Sequence, residues 1–358
     1  MNDELDLKLK KEKSKKIKII ISLIVMVVLF FVISLFVGSS SMTISDAFKA
    51  LLKQSTPAYN RIMWNIRMPR VLAALIAGAG LSVSGLIMQT VLGNQMASPS
   101  TLGVSNAAVF GANVSIIVFA GGFLVTGNNV NNYLSSANPF QTSLMAFIFS
   151  FGSILLILLL CKIKNYSPNT TVLAGIAIGS IWTAATTILQ FYATDVNLSA
   201  AVIWNFGDLG RATYRTDLIM FIVIILSSIF FIISSWKYNV LLSGDNFAKS
   251  TGININVLRF VSLLLASLIT SVCVSFLGII GFVGIICPHI MKKILGQDHR
   301  YLIPSSIIAG SVLLLLADTL SRSIGSGSAL PVGAITSLLG APFFLYIIFS
   351  SKRGEVNA

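Results

Sequence analysis

Residues 71–92 form an uncharged, mostly apolar run of 22 residues, and nine further apolar runs of comparable length are distributed along the chain. A helix of about 20 apolar residues crosses the ~30 Å hydrocarbon core of a bilayer. In that medium every backbone polar group must find its partner inside the protein, which leaves helices as the way to satisfy each run on its own. The runs cover residues 19–37, 71–92, 103–124, 142–161, 172–192, 218–236, 258–277, 281–295, 304–320 and 332–349. The predicted fold is therefore all-α, a polytopic membrane protein of about ten transmembrane helices. Its predicted organisation is a basic tail over 1–18, one transmembrane domain over 19–350 and a short tail over 351–358. Only 10% of the residues are charged, against about 25% in soluble domains.

The basic residues set the orientation. Seven lysines fall within the first 18 residues, ahead of the first apolar run. With that end inside, 17 of the 25 Lys and Arg lie on the inner side, so both termini are expected in the cytoplasm. The first run is long for a signal-peptide core, and residues 37–41 make a poor cleavage site, so it is read as a retained span. A net charge of +13 could suggest nucleic acid. No nucleic-acid partner is expected, because the charge is spread between apolar spans rather than gathered on one soluble face. The Asn-rich, uncharged stretch 127–139 suits an outward loop.

Arg67, Pro69 and Arg70 precede the run at 71–92. Pro69 suits a first helical turn, whereas cations there oppose the helix dipole. Two readings of the arginines follow, anchoring to headgroups and binding of an acidic partner. Ala74, Gly78 and Ser82 recur every four residues, a stripe that admits close approach of another helix. Gly278, Gly281 and Gly284 predict a tight reversal between the seventh and eighth runs. Outside, Trp204 to Arg215 reads as a short interfacial helix with Trp204 and Tyr214 as anchors. Inside, residues 242–252 place Gly244, Ala248 and Gly252 on one helical face. That piece could dock on a cytosolic partner or lie on lipid headgroups.

Enzyme chemistry is not expected. There is no Gly-x-x-x-x-Gly-Lys-Ser/Thr phosphate loop, so nucleotide hydrolysis by that device is not expected. The two histidines, His289 and His299, form no His-Glu-x-x-His site. No metal set and no cofactor is expected. Cys161, Cys273 and Cys287 read as small buried apolar residues. A carboxylate inside the spans would suit ion coupling. The candidate considered, Asp318, has a plainer role as an i,i+4 partner of Arg322.

A set of ordered motifs carries a family resemblance. It comprises Arg67-Met-Pro-Arg70, Gly85-Leu-Ile-Met-Gln-Thr90, Asn94, Pro99 and Leu102-Gly-Val-Ser-Asn106, and then Gly278-Ile-Ile-Gly-Phe-Val-Gly-Ile-Ile-Cys-Pro-His-Ile290. Gly296-Gln-Asp-His-Arg300, Leu316-Ala-Asp318, Arg322, Pro331-Val-Gly333 and Gly340-Ala-Pro-Phe-Phe344 complete it. From about residue 20 to 350 the chain resembles FecCD-type permeases, the membrane subunits of type II ABC importers for iron–siderophore complexes, haem and cobalamin. The resemblance implies a second permease subunit, a cytosolic ATP-binding-cassette ATPase dimer and an extracytoplasmic substrate-binding protein. Carried over by position, Arg67, Arg70 and Arg322 would dock acidic residues of the binding protein. Asn94, Met96, Thr170 and Thr171 would line the cytoplasmic gate. Gly244, Asp245, Ala248 and Gly252 would belong to the helices that rest on the ATPase, which decides between the two readings of residues 242–252.

The chain departs from the pattern twice. Asn94-Gln95-Met96 stands where the family commonly has Asn-Pro-Leu, and Ala329 occupies a position that is usually acidic. The expected function is import of a bulky iron chelate, ferric siderophore first, through the cytoplasmic membrane of a prokaryote. Haem or cobalamin import is the alternative, and ion-coupled secondary transport a more distant one.

Overall fold

The structure is a computed structural model that describes residues 2–38, 42–120, 138–324 and 329–351. Most of the Asn-rich stretch, the end of the third run and the chain beyond residue 351 lie outside the described residues. The described residues hold fifteen α-helices in order. They are α1 (Asn2–Phe36), α2 (Ile44–Leu51), α3 (Pro57–Arg61), α4 (Met68–Val91), α5 (Val104–Asn113), α6 (Pro139–Lys162), α7 (Pro168–Phe191) and α8 (Asp195–Asn205). Then come α9 (Tyr214–Ile233), α10 (Ser235–Leu241), α11 (Asp245–Ser250), α12 (Ile255–Leu277), α13 (Val283–Leu295), α14 (His299–Ile324) and α15 (Val332–Ser351). The described residues also contain two π turns, Ile62–Arg67 and Val114–Phe119, and a 3-10 turn, Leu209–Arg211. Each of the ten apolar runs contains a helix. Among the described residues, seven helices are long and apolar enough to cross a membrane, and Val104–Phe119 and Val332–Tyr346 are shorter apolar helices.

The helix expected to begin at Pro69 begins earlier. Thr56 caps α3, its hydroxyl accepting from the Tyr59 N–H at 3.4 Å. The chain then stays helical from Pro57 to Val91. Pro69 has no N–H to give the carbonyl four residues back, and a wide turn lies directly before it, closed by Met68 N–H to the Met63 carbonyl. Arg67 and Arg70 are therefore well inside a continuous helix, and the dipole argument does not apply to them.

The core forms around α4, which packs on α14, α12, α13 and α9. Lipid supplies little hydrophobic drive between helices, so association rests on close contact and polar side chains. The predicted stripe is where this occurs. A Cβ at Gly78 would collide with the Gly310 carbonyl of α14. Next to it Ser82 donates to the Ser306 carbonyl at 2.7 Å, and Ser311 to that of Leu75 at 2.8 Å. The periphery is apolar and outward-facing, as at Val25, Leu159 and Phe191. The reversal after α12 is present, with Gly278 at φ +77 and Phe282 at φ +65.

The interfacial helix expected over Trp204–Arg215 is instead the end of α8, a turn, the short 3-10 segment and the start of α9. Trp204 is buried. Arg211 lies over its ring and donates to the Trp204 and Ile203 carbonyls, so the indole is packed rather than presented as an anchor. Tyr214 remains exposed, and its hydroxyl donates to the Trp64 carbonyl at 2.5 Å.

Candidate functional site

The end of the bundle where α1 stops and α9 starts holds the three arginines of the docking expectation. They are not displayed: Arg67, Arg70 and Arg322 are 4%, 8% and 5% exposed. A buried guanidinium needs acceptors nearby, and the fold supplies them. Arg70 Nε donates to Asp318 Oδ1 at 2.7 Å, and Arg322 pairs with the other carboxylate oxygen at 2.9 Å. Asp208 stands 3.5 Å from Arg70. Other donors of Arg67 and Arg322 reach the C-terminal turn of α1, whose last carbonyls have no partner within the helix. Arg67 donates to the Leu35 carbonyl at 2.9 Å, and Arg322 to those of Ser34 at 2.9 Å and Val37 at 2.7 Å. The i,i+4 pair of Asp318 with Arg322 is present, with Arg70 as a third member that sequence spacing does not reveal.

Away from this end, a cavity of about 340 Å³ opens between the loop 93–103, α5 and α7. Asn94 and Met96 both line it. Asn94 Oδ1 accepts the Met96 N–H at 2.9 Å, and Met96 is half exposed. Thr170 and Thr171 do not join them. Thr171 is fully buried, its hydroxyl turned back onto the Ser167 carbonyl at 2.9 Å. Helix α7 instead presents Val172, Gly175, Ile176 and Gly179, at helical spacing from one another. Asn106, from α5, donates to the Gly179 carbonyl at 3.2 Å and to Thr183 at 3.1 Å. The signal that would have found this wall is the small-residue series Gly175, Gly179 and Thr183.

At the opposite end from the arginine cluster, α11 lies on the surface. Gly244 and Gly252 flank it at φ +102 and +81, with nothing within 4 Å of a would-be Cβ. They serve the turns, since only glycine takes these angles without strain. Ala248 is fully buried against the bundle. The three small residues therefore do not form one exposed face. The exposed residues include Phe247, at 53%, with Leu242 and Lys249. Asp245 is held bidentately by Arg259 of α12, at 2.9 and 3.0 Å.

At the same end, Asp298 sits in the turn between α13 and α14. Burial works against its charge, but hydrogen bonds from Arg300 and Asn239 hold the carboxyl down at about 2. Asp217, near the start of α9, was missed by sequence reasoning. It is 4% exposed, and neither carboxylate oxygen has a hydrogen-bond partner among the described residues.

Residues 25–350 match the FecCD transport family. A Methanocaldococcus jannaschii protein provisionally named as an ABC transporter permease is 44% identical, over 94% of this chain and 95% of that one. The hemin transport system permease of Yersinia pestis is 33% identical, over 91% and 95%. A solved structure provisionally described as a metal-chelate type ABC transporter, in an inward-facing conformation, superposes with a TM-score of 0.79. It is 27% identical and covers 93% of this chain and 99% of that one.

Proposed function

The chain belongs to the FecCD transport family, and on that footing we propose that it is the permease subunit of an ATP-driven importer carrying ferric siderophore across the cytoplasmic membrane of a prokaryote. A second permease subunit stands beside it, two cytosolic ATPases power it and an extracytoplasmic binding protein delivers the cargo. The observation that carries this reading is the position of α11. It exposes Phe247 at the end opposite the arginine cluster, and its first residue is tied through Arg259 to the end of α4, next to the cavity loop. A motor on that surface can reach the cavity through bonded contacts.

The binding protein docks on the end that holds Arg67, Arg70 and Arg322. Because these are turned inward, its acidic side chains first meet the exposed rim cations Lys53, Arg61 and Arg215. Asn94 and Met96 form part of the inner gate, with Gly175 and Gly179 as the opposing wall.

Haem is the second reading, favoured by the Yersinia pestis relative's name. The test is uptake into proteoliposomes containing the permease pair, the ATPase and the binding protein. Ferric siderophore, hemin, cobalamin and molybdate are offered separately. ATP-dependent siderophore uptake requiring all components is expected. Hemin uptake in its place selects the second reading, and cobalamin or molybdate alone removes both. Uptake driven by an ion gradient without ATPase overturns the importer.

A further inference from the structure

Three nitrogens of one side chain join the surface helix to the end of α4, just ahead of the cavity loop. Arg259 is 6% exposed. Its Nη1 and Nη2 donate to the two oxygens of Asp245 at 3.0 and 2.9 Å, and its Nε donates to the Val91 carbonyl at 2.9 Å. Asp245 is the first residue of α11, and Val91 is the last of α4. Three residues beyond Val91 the chain reaches Asn94, in the cavity wall.

We infer that Arg259 is a positioning residue that transmits displacement of α11 to the cavity loop. The inference rests on the reading of α11 as the ATPase seat. A guanidinium gripping a carboxylate through two parallel bonds fixes orientation as well as distance. Movement of α11 therefore carries the guanidinium with it instead of sliding past. The third bond, to a last-turn carbonyl that has no partner within its own helix, passes that movement to the end of α4. The receiving segment is itself closely tied. Asn94 N–H donates to the Gln89 carbonyl at 3.1 Å. The Gln89 side chain is held by Lys292 at 2.9 Å and by the Gly284 carbonyl at 3.1 Å, both on α13. The Asp245 side chain is 45% exposed, so the pair opens onto the same surface as Phe247.

The test uses the whole transporter in proteoliposomes, with Cys161, Cys273 and Cys287 replaced by serine and a Met96→Cys reporter. Three quantities are measured: co-purification of the ATPase, cargo imported per ATP hydrolysed, and the nucleotide-dependent change in reporter labelling. For Arg259→Gln the ATPase is expected to remain bound. Cargo per ATP should fall at least fivefold and the labelling change should disappear, with Arg259→Lys intermediate. Asp245→Asn, on the exposed side of the pair, should move the same two readouts in the same direction and serves if Arg259→Gln does not fold.

A wild-type cargo-to-ATP ratio and labelling change in both Arg259→Gln and Asp245→Asn overturns the inference. A proportional loss of hydrolysis and uptake also overturns it, because that is what a merely structural residue gives. Phe247→Ala tests the underlying reading separately. If the ATPase co-purifies undiminished with that variant, α11 is not its seat, whatever the Arg259 variants do.

Discussion

Arg70 and Asp318 are 248 residues apart in the chain and 2.7 Å apart in the fold. Asp318 also faces Arg322 at 2.9 Å, so one fully buried carboxylate answers two guanidinium groups. Removing one partner of a buried pair leaves the other uncompensated and costs about 3–5 kcal/mol. Asp318→Ala should therefore lower the thermal unfolding midpoint of the detergent-purified protein well beyond Lys53→Ala, an exposed control. Equal midpoints would show that the cluster contributes nothing to stability.

Orientation is tested by thiol access in a background lacking the native cysteines. Lys53→Cys should react with an impermeant reagent on intact cells. Ser243→Cys, beside α11, should react only after permeabilisation. The reverse pattern would invert every inner and outer role proposed above.

Docking of the binding protein should depend on the exposed rim. Arg61→Glu combined with Arg215→Glu should weaken its affinity for the reconstituted permease several-fold at low salt. The difference should shrink as ionic strength rises, because exposed charges are screened over about 10 Å at 0.1 M. Identical salt dependence in the variant and the wild type would place docking elsewhere.

The cavity wall should respond to a single methyl-bearing side chain. A Cβ at Gly175 would stand 2.8 Å from the Leu102 Cα, a backbone atom that cannot yield by changing rotamer. Gly175→Val should push the loop 93–103 away from α7 and raise labelling of a Met96→Cys reporter several-fold without nucleotide. Unchanged labelling would mean that the loop does not seal against this helix.

Acid should act through Asp298. Its folded carboxyl, at about 2, lies below the ordinary 3.8, so the folded state favours the charged form. Its contribution is fully present above about pH 4 and is lost as pH falls through about 2. Asp298→Asn should flatten that part of the stability–pH curve, followed by denaturant unfolding in detergent. A curve as steep as the wild type's would assign the acid sensitivity to other groups.

The sequence by itself determined the elements and the family. Run length and the absence of charge are local properties, and in lipid they select helices because the backbone has no other donor or acceptor to turn to. The Ala74–Gly78–Ser82 stripe likewise announced a close helix contact, since small side chains at four-residue spacing must share one face. What the tertiary structure decided is where side chains find partners. Arg67 looked like a display at a helix mouth, but the helix begins earlier and the end of α1 offers it carbonyls. Thr171 shares a helix with the cavity wall yet faces away from it. Ala248 belongs to the surface helix and is buried beneath it. The partners of Arg70 and Arg259 include groups 248 and 168 residues distant. The need of a buried charge for a counter-group is legible in one dimension. Which group answers depends on how the helices are arranged around α4, and that is settled only when they pack.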